Sequence, residues 1–530
     1  MNRRRFIQVS AVAPALMLGS CRNQVVPGSI IGAAHRAGHL LRDGKTSAAP
    51  SKTAKTDVLI LGGGVAGLAA ARQLARRGIT DFLVLELESQ SGGNSQGGRN
   101  SVSAYPWGAH YVTLPGPDCH EVRELFEELG LIAGHDAAGR PIYDELALCA
   151  DPQERLFIHG QWQEGIAPSA GLTSDEQRQF REFREEMSRW SETKGADGRP
   201  AFTIPVDRSS RDPTILELDQ LTMAAWMDAK GWTCEPLRWQ VDYSCRDDFG
   251  GGEDEVSAWA GIHYFASRRP DAANADHDTV LTWPEGNAWL AERLAESAKG
   301  RIRNHALVLN VTEQSSGVQV DVMNTTDGHG GEIMRFVCRA VVCAMPRFIA
   351  QRIISNLKPL DQPPVYSPWV VANLALDELP PSPGELPAWD NVVYGGPSLG
   401  YVNATHQNLT AVPRETVITH YEALCGSPPA RLREWMLTQT HAQWCDRIFS
   451  ALAAPHPDLA AHVQNIDVWL WGHGMVRPTP GFISGTTRTV MQQHQPPVFF
   501  AHSDMSGVSL FEEAFTRGTQ AADAAIRFLG

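Results

Sequence analysis

The sequence predicts an α/β protein: a Rossmann-like parallel sheet whose strands come from separate stretches of chain, with an α+β unit inserted between them. Three observations carry that expectation. A strand, a glycine-rich turn, a helix and a second strand follow one another without a gap from Asp57 to Glu86. Apolar strand-like runs return between 306 and 346, and a final strand and helix fill 498–529.

The first unit is the most explicit. Val58-Leu59-Ile60-Leu61 is a short apolar run of the kind found in buried parallel strands, and Gly62-Gly63-Gly64-Val65-Ala66-Gly67 follows it directly. This is G-x-G-x-x-G in its required place between strand and helix. Leu68 to Arg77 is Ala-rich and helical in composition, Gly78 is a stop, and Phe82–Leu85 supplies the second strand, ending at Glu86. Gly62 permits the tight turn, Gly64 lets a pyrophosphate approach the backbone, and Gly67 allows close helix packing. Glu86 stands where a carboxylate accepts hydrogen bonds from a ribose diol, and it would repel a 2′-phosphate.

The later pieces extend the same plan. Ala306 to Val311 and Val318 to Val322 read as a small antiparallel sheet, and Arg339 to Pro346 as a strand returning to the parallel one. Val498 to Asp504 reads as a strand closing on an acid, and Leu510 to Leu529 as a helix. Between these lie helical patterns at Thr173 to Lys194, Asp219 to Lys230 and Glu253 to Ser267, and strands near Asn391 to Tyr394 and Val417 to Tyr421. The Phe180, Phe183, Met187 and Trp190 stripe of the first helix is accounted for by core packing.

Composition narrows the function. A 530-residue chain with 43% hydrophobic and 20% charged residues has ordinary globular usage and material for more than one domain. Its formal charge of −14 repels phosphate backbones, so nucleic acid is not an expected partner, whereas cationic small molecules are drawn in. The nine cysteines include no CxxC pair and no His/Cys cluster at zinc spacing, so no metal site is expected. Disulfides remain open for the eight beyond Cys21, although Cys338 and Cys343 sit in apolar runs as small hydrophobes.

The N-terminus reads as an address. Asn2-Arg3-Arg4-Arg5-Phe6-Ile7-Gln8 resembles a twin-arginine export signal, and the apolar stretch from Val9 to Ser20 is too short to span a bilayer as a helix. Leu18-Gly19-Ser20-Cys21 resembles a lipobox, with Cys21 as the lipidated residue of a membrane-anchored, periplasmic or otherwise extracytoplasmic protein; simple cleavage is the alternative. Residues 22–56, rich in Ala, Ser, Gly and Lys, are expected to tether that anchor to the folded body, with Ile30-Ile31 and Leu40-Leu41 as apolar pairs able to dock locally.

Glu86 is followed six and seven residues later by Gly92 and Gly93, and further on by Gly108-Ala109-His110-Tyr111. On these motifs, with the glycine turn and the closing segment, the chain resembles the flavin-containing amine oxidase superfamily. The resemblance touches 57–111, 281–346 and 466–529. It implies a two-dinucleotide-binding-type domain holding FAD non-covalently, with a substrate domain inserted. The FAD-binding parts would be 57–115, 281–346 and 466–530, and the substrate-binding parts 116–280 and 347–465, after a signal over 1–21 and the tether over 22–56. By the same resemblance Val308 meets the adenine side, Asp504 lies near the ribityl-pyrophosphate, and Leu510 and Phe511 point a helix start at the flavin. Where many relatives have Arg after the glycine pair this chain has Asn94, with Arg99 nearby, and Glu513 replaces a usual glycine. Trp283-Pro284-Glu285-Gly286 resembles a loop that approaches the flavin edge.

The chemistry implied is hydride transfer from a substrate C–H to the flavin, in a dry cavity. Trp469 and Trp471 share a strand face by period two, and His473 continues it; these three and His110 are the candidate substrate-side residues. Asp247 and Asp248 are candidates for holding a distal ammonium. No lysine falls in the slot where many relatives keep one. Oxidation of an amine or polyamine, with O2 or another acceptor taking the electrons, is the leading reading. A dehydrogenase or desaturase of apolar, lipid-like substrates and a non-catalytic flavin lipoprotein are the alternatives.

Overall fold

The computed structural model describes residues 26–32, 34–44, 49–326, 331–409 and 414–530. The expected signal, including Cys21, lies outside them.

Val58–Leu61 is buried at every position because strands flank it on both sides, two helices cover Val58 and Ile60 on one face, and a second sheet covers Leu59 and Leu61 on the other. The parallel sheet runs in the order Ile302–Arg303, Phe82–Leu85, Val58–Leu61, Ala340–Cys343, Val498–Phe500. Two helices, Val65–Arg76 and Phe511–Leu529, pack on each other against it. Their approach is close: a Cβ on Gly518 would stand 2.0 Å from the Ala66 carbonyl oxygen. The two ends of the folded chain are thereby joined at the glycine turn.

A four-stranded sheet, ordered Lys52–Lys55, Ile333–Cys338, Gly317–Asn324, Ala306–Gln314, lies alongside. Its first strand corrects one expectation. The described residues of 22–56 are not a plain tether: Lys52–Lys55 pairs in parallel with Ile333–Cys338, Ile30 bridges Val468, and His35–Arg42 is a helix. Ala37, buried, and Leu40 and Leu41, half-buried one helical turn on, supply apolar contacts that hold this segment down.

The inserted unit is built on a seven-stranded sheet, ordered Gln161–Glu164, Glu154–Ile158, Asp390–Val393, Tyr401–Asn403, Thr416–Ala423, Val365–Leu376, Val463–Arg477. The boundary expected at 466 falls inside its last strand, which is hydrogen-bonded along the Val365–Leu376 strand as far as Arg477. Helix Ser174–Glu192 opens with a Thr173 capping box and buries Phe180, Phe183 and Met187 in the core. The other two helical expectations are shortened. Met223–Lys230 starts at the Thr222 cap and Ala258–Ala266 at the Ser257 cap. The polar run Tyr243 to Asp248 is part of helix Glu235–Phe249, ended by Gly250 at φ 65°.

Candidate active site

A first cleft opens at the carboxyl ends of the parallel strands, where open α/β sheets bind ligands. Gly62 turns the chain at φ 102°, and a Cβ there would come within 3.0 Å of the Ala344 carbonyl oxygen. The helix it feeds has Gly64 as its N-cap and no side chain capping it, so its first amides are open to an anion in the cleft. Gly64 bridges Gly92, and a Cβ on Gly93 would stand 3.1 Å from the Gly64 Cα. The turn and the glycine pair are back to back, which is why neither carries side chains.

Glu86 ends this cradle. Its Oε2 accepts the Gly63 N–H at 2.7 Å and its Oε1 accepts the Glu88 N–H at 2.9 Å, which fixes the carboxylate at the lip of the cleft. Burial pushes its carboxyl up, and the amide hydrogen bonds oppose that shift. Each oxygen keeps a second lone pair for a ribose diol. Leu307 and Val308 form an apolar wall beside it. A side-chain-free cradle, an uncapped helix start and an acid at the diol position fit a dinucleotide without a phosphate on the ribose.

A second chamber adjoins the first, and Asn94, Ala109, Gly474, Ser509, Leu510 and Phe511 line both. Its walls are aromatic. Trp369 and Trp471 are paired in register on neighbouring strands, and the Trp471 indole N–H donates to the Trp107 carbonyl at 2.6 Å. His110 stacks on Tyr421 with centroids 4.3 Å apart. The His110 Nδ1–H donates to the Gly108 carbonyl at 3.2 Å, leaving Nε2 as an acceptor, and burial lowers its pKa to about 4. That imidazole is neutral at neutral pH.

Carboxylates complete the lining. Arg268 Nη2 donates to both Asp248 oxygens, at 2.7 and 2.8 Å, and neutralises that charge. Asp247 is pushed up to about 7 by burial and by the neighbouring Asp248. Burial, with the negative Glu154 and Asp247 nearby, pushes Asp390 well above the carboxylate range. Glu512 accepts the Thr113 hydroxyl at 2.9 Å and is raised by burial to about 7. Among the described residues no Arg or Lys forms a salt bridge with Asp247 or Asp390.

The expected site residues divide between these spaces. Gly62, Gly64, Glu86, Gly92, Gly93, Ala109 and Val308 line the cleft, and Leu510 and Phe511 stand at the junction, at the start of the closing helix. Gly67 packs helix on turn, its Cβ position 1.9 Å from the Gly62 carbonyl oxygen. Asn94 is at the junction, its amide donating to the Gly474 carbonyl, and Gly108 lines the chamber. Arg99 lies outside both spaces, exposed on the hairpin formed with Ala104–Pro106. Asp504 also lines neither. It faces inward, accepting the Arg347 N–H at 2.7 Å and the Tyr366 hydroxyl at 2.6 Å, while His502 and Ser503 reach the cleft instead.

The expected trio is broken up as well. Trp471 lines the chamber, but Trp469 is packed between Trp107 and Trp471, with 5.3 Å between centroids in each pair. His473 lines the nucleotide cleft and stacks on Phe348 at 4.2 Å. The cause is a bulge: Trp369 pairs with Trp471 and Ser367 with Met475, so four residues on one strand match two on the other and alternation fails at His473. Sequence reasoning missed Trp369, Asp390, Tyr421 and Glu512. Glu512 carried a signal, as an acid directly after Phe511 in the first turn of the closing helix.

Fold and site together define an oxidoreductase of the dinucleotide-binding flavoprotein class. The family model described as DAO, FAD dependent oxidoreductase, matches residues 57–510, and the chain belongs to that family. Its cofactor is FAD. Among solved structures, putrescine oxidase bound to putrescine superposes with a TM-score of 0.63 at 15% identity, over 90% of this chain and 100% of that one. Cyclohexylamine oxidase from Brevibacterium oxydans IH-35A gives 0.63 at 15%, over 89% and 99%. A CLA-producing fatty acid isomerase from P. acnes gives 0.59 at 16%, over 90% and 99%. At these identities the likeness is one of fold.

Proposed function

We propose that this FAD-dependent oxidoreductase oxidises an amine, with a polyamine favoured, and passes the electrons to O2 or another acceptor. The observation that carries the reading is Asp247 and Asp390 in the chamber with no cation salt-bridged to either. Burial and mutual repulsion disfavour charge on both, and an ammonium group between them would offset both effects by stabilising the ionised carboxylates. The walls formed by Trp369, Trp471 and Tyr421 exclude water from the other end of the substrate and favour its neutral amine form. Neutral His110 orients that nitrogen through its free Nε2 without adding charge. FAD, when bound, supplies the hydride acceptor at the junction of the two spaces. The twin-arginine-like start supports a location outside the cytoplasm.

The test is anaerobic mixing of purified holoenzyme with a panel of monoamines, diamines and detergent-solubilised lipids. Bleaching of the flavin band by amines, and most readily by diamines, is the expected result. Bleaching by lipids alone favours a dehydrogenase of apolar substrates, and silence with every compound leaves a flavin protein without its own substrate; either outcome removes the amine reading.

A further inference from the structure

The segment ahead of the family match, which begins at residue 57, is fastened at both ends to different parts of the molecule. Pro27 to Ile31 run beside the last strand of the seven-stranded sheet: the Ile466 N–H donates to Pro27, the Val468 N–H to Ser29 and the Ile31 N–H to Val468, each at 2.9 Å. Gly28 makes this contact possible, since it has φ 122° and a Cβ there would fall 1.8 Å from the Ile466 carbonyl oxygen. At its other end Lys52–Lys55 is the first strand of the four-stranded sheet. Between these two anchors the helix His35–Arg42 crosses the nucleotide cleft. Its Gly38 and Leu41 line the cleft together with Glu86, Leu87 and Val308, and Leu40 packs with Leu87, Leu307 and Leu309. The Ala34 N–H donates to both oxygens of Glu88, at 2.7 and 3.0 Å, two residues beyond the diol acid.

We propose that this arm is a third wall of the FAD site, one that closes over the end holding Glu86 and Val308 and retains the bound dinucleotide. The inference rests on the cleft alone and is independent of which substrate the chamber takes. A strap joined to two sheets has to detach at one of them before the dinucleotide can leave past it. The cofactor therefore enters before the arm docks, and afterwards its release is limited by arm opening rather than by its own contacts.

The test measures flavin release, not turnover. Holoenzyme is diluted far enough that released FAD does not rebind, and the rise of free-FAD fluorescence is followed for three proteins: the full chain, a chain starting at Ala49, and full-length Gly28→Val. Both altered proteins are expected to release FAD at least about tenfold faster, with the far-ultraviolet circular dichroism of the full chain preserved; tenfold corresponds to about 1.4 kcal/mol of lost retention. If the shortened chain does not fold, Gly28→Val decides alone, because its substitution lies at the remote sheet and touches no cleft residue. Release within twofold of the full chain in every folded variant would overturn the proposal.

Discussion

At the level of single residues, the chamber's selectivity is expected to reside in Asp247 and Asp390 more than in the tryptophans. Removing a carboxyl that an ammonium group would ionise while keeping shape, as in Asp390→Asn, should raise KM for a diamine about tenfold, equivalent to one pKa unit or ~1.4 kcal/mol, and leave KM for an alkyl monoamine nearly unchanged. Steady-state kinetics on both substrates reads the difference. Equal losses on the two would mean that Asp390 shapes the chamber without holding a cation. Residues fixed by backbone geometry were legible in the sequence: the glycines of the turn and Glu86 sit where their spacing placed them. Asp504 and Arg99 were not, because a side chain's direction depends on partners far along the chain, such as Tyr366 and the Arg347 amide for Asp504.

Elements were legible wherever one period of burial ran unbroken. Val58–Leu61, Phe82–Leu85 and Ala340–Cys343 announce themselves as apolar runs, and Ser174–Glu192 as a stripe with a capping box. The helix Glu235–Phe249 was hidden because its last turns bury Tyr243 and Asp248 and present Asp247 to the chamber, a polar pattern that mimics a loop. The strand Val463–Arg477 was recognised, yet its bulge after Trp471 left no mark beyond Gly472 and Gly474. Helix against helix, the contact at Gly518 is the most exacting. Gly518→Ala forces the closing helix off the Ala66 carbonyl, and a cost of about 1–3 kcal/mol is expected from such overpacking. Denaturant titration should show that loss, and the flavin-to-protein absorbance ratio should fall with it because Leu510 and Phe511 move with the helix. Full flavin content and unchanged stability would mean that the two helices can part without harm.

Over the whole molecule, buried ionisable groups set how stability varies with pH. The carboxyls of Glu88, Asp247, Glu154, Glu253 and Glu512 are held up at about 7 by burial, above their ordinary 3.8 to 4.5. A carboxyl raised in the fold contributes stability that is complete below its unfolded pKa and lost as pH rises through the folded one. His110 and His456, lowered to about 4, and His263 and His420, lowered to about 3, act oppositely below their ordinary 6.5, where the unfolded chain binds more protons. From pH 6.5 upward only the carboxyl effect remains, so the thermal midpoint should fall between about pH 6.5 and 8, which melting curves will show. A midpoint that rises over that range would mean these carboxyls are ionised in the fold. The large-scale plan was readable because the first glycine turn and the closing helix lie at opposite ends of the family match and have to meet. The docked N-terminal arm was readable only as far as Ile30-Ile31 and Leu40-Leu41, two apolar pairs in linker-like composition, since its partners, Val468 and Glu88, carry no local signature.

Asn94, Ala109, Gly474, Leu510 and Phe511 belong to both spaces, so no protein partition divides the nucleotide cleft from the chamber. FAD held in the cleft would therefore form the far wall of the chamber. Stripping the flavin would open one long tunnel in place of a fitted compartment, and with it would go any power to tell one guest from another.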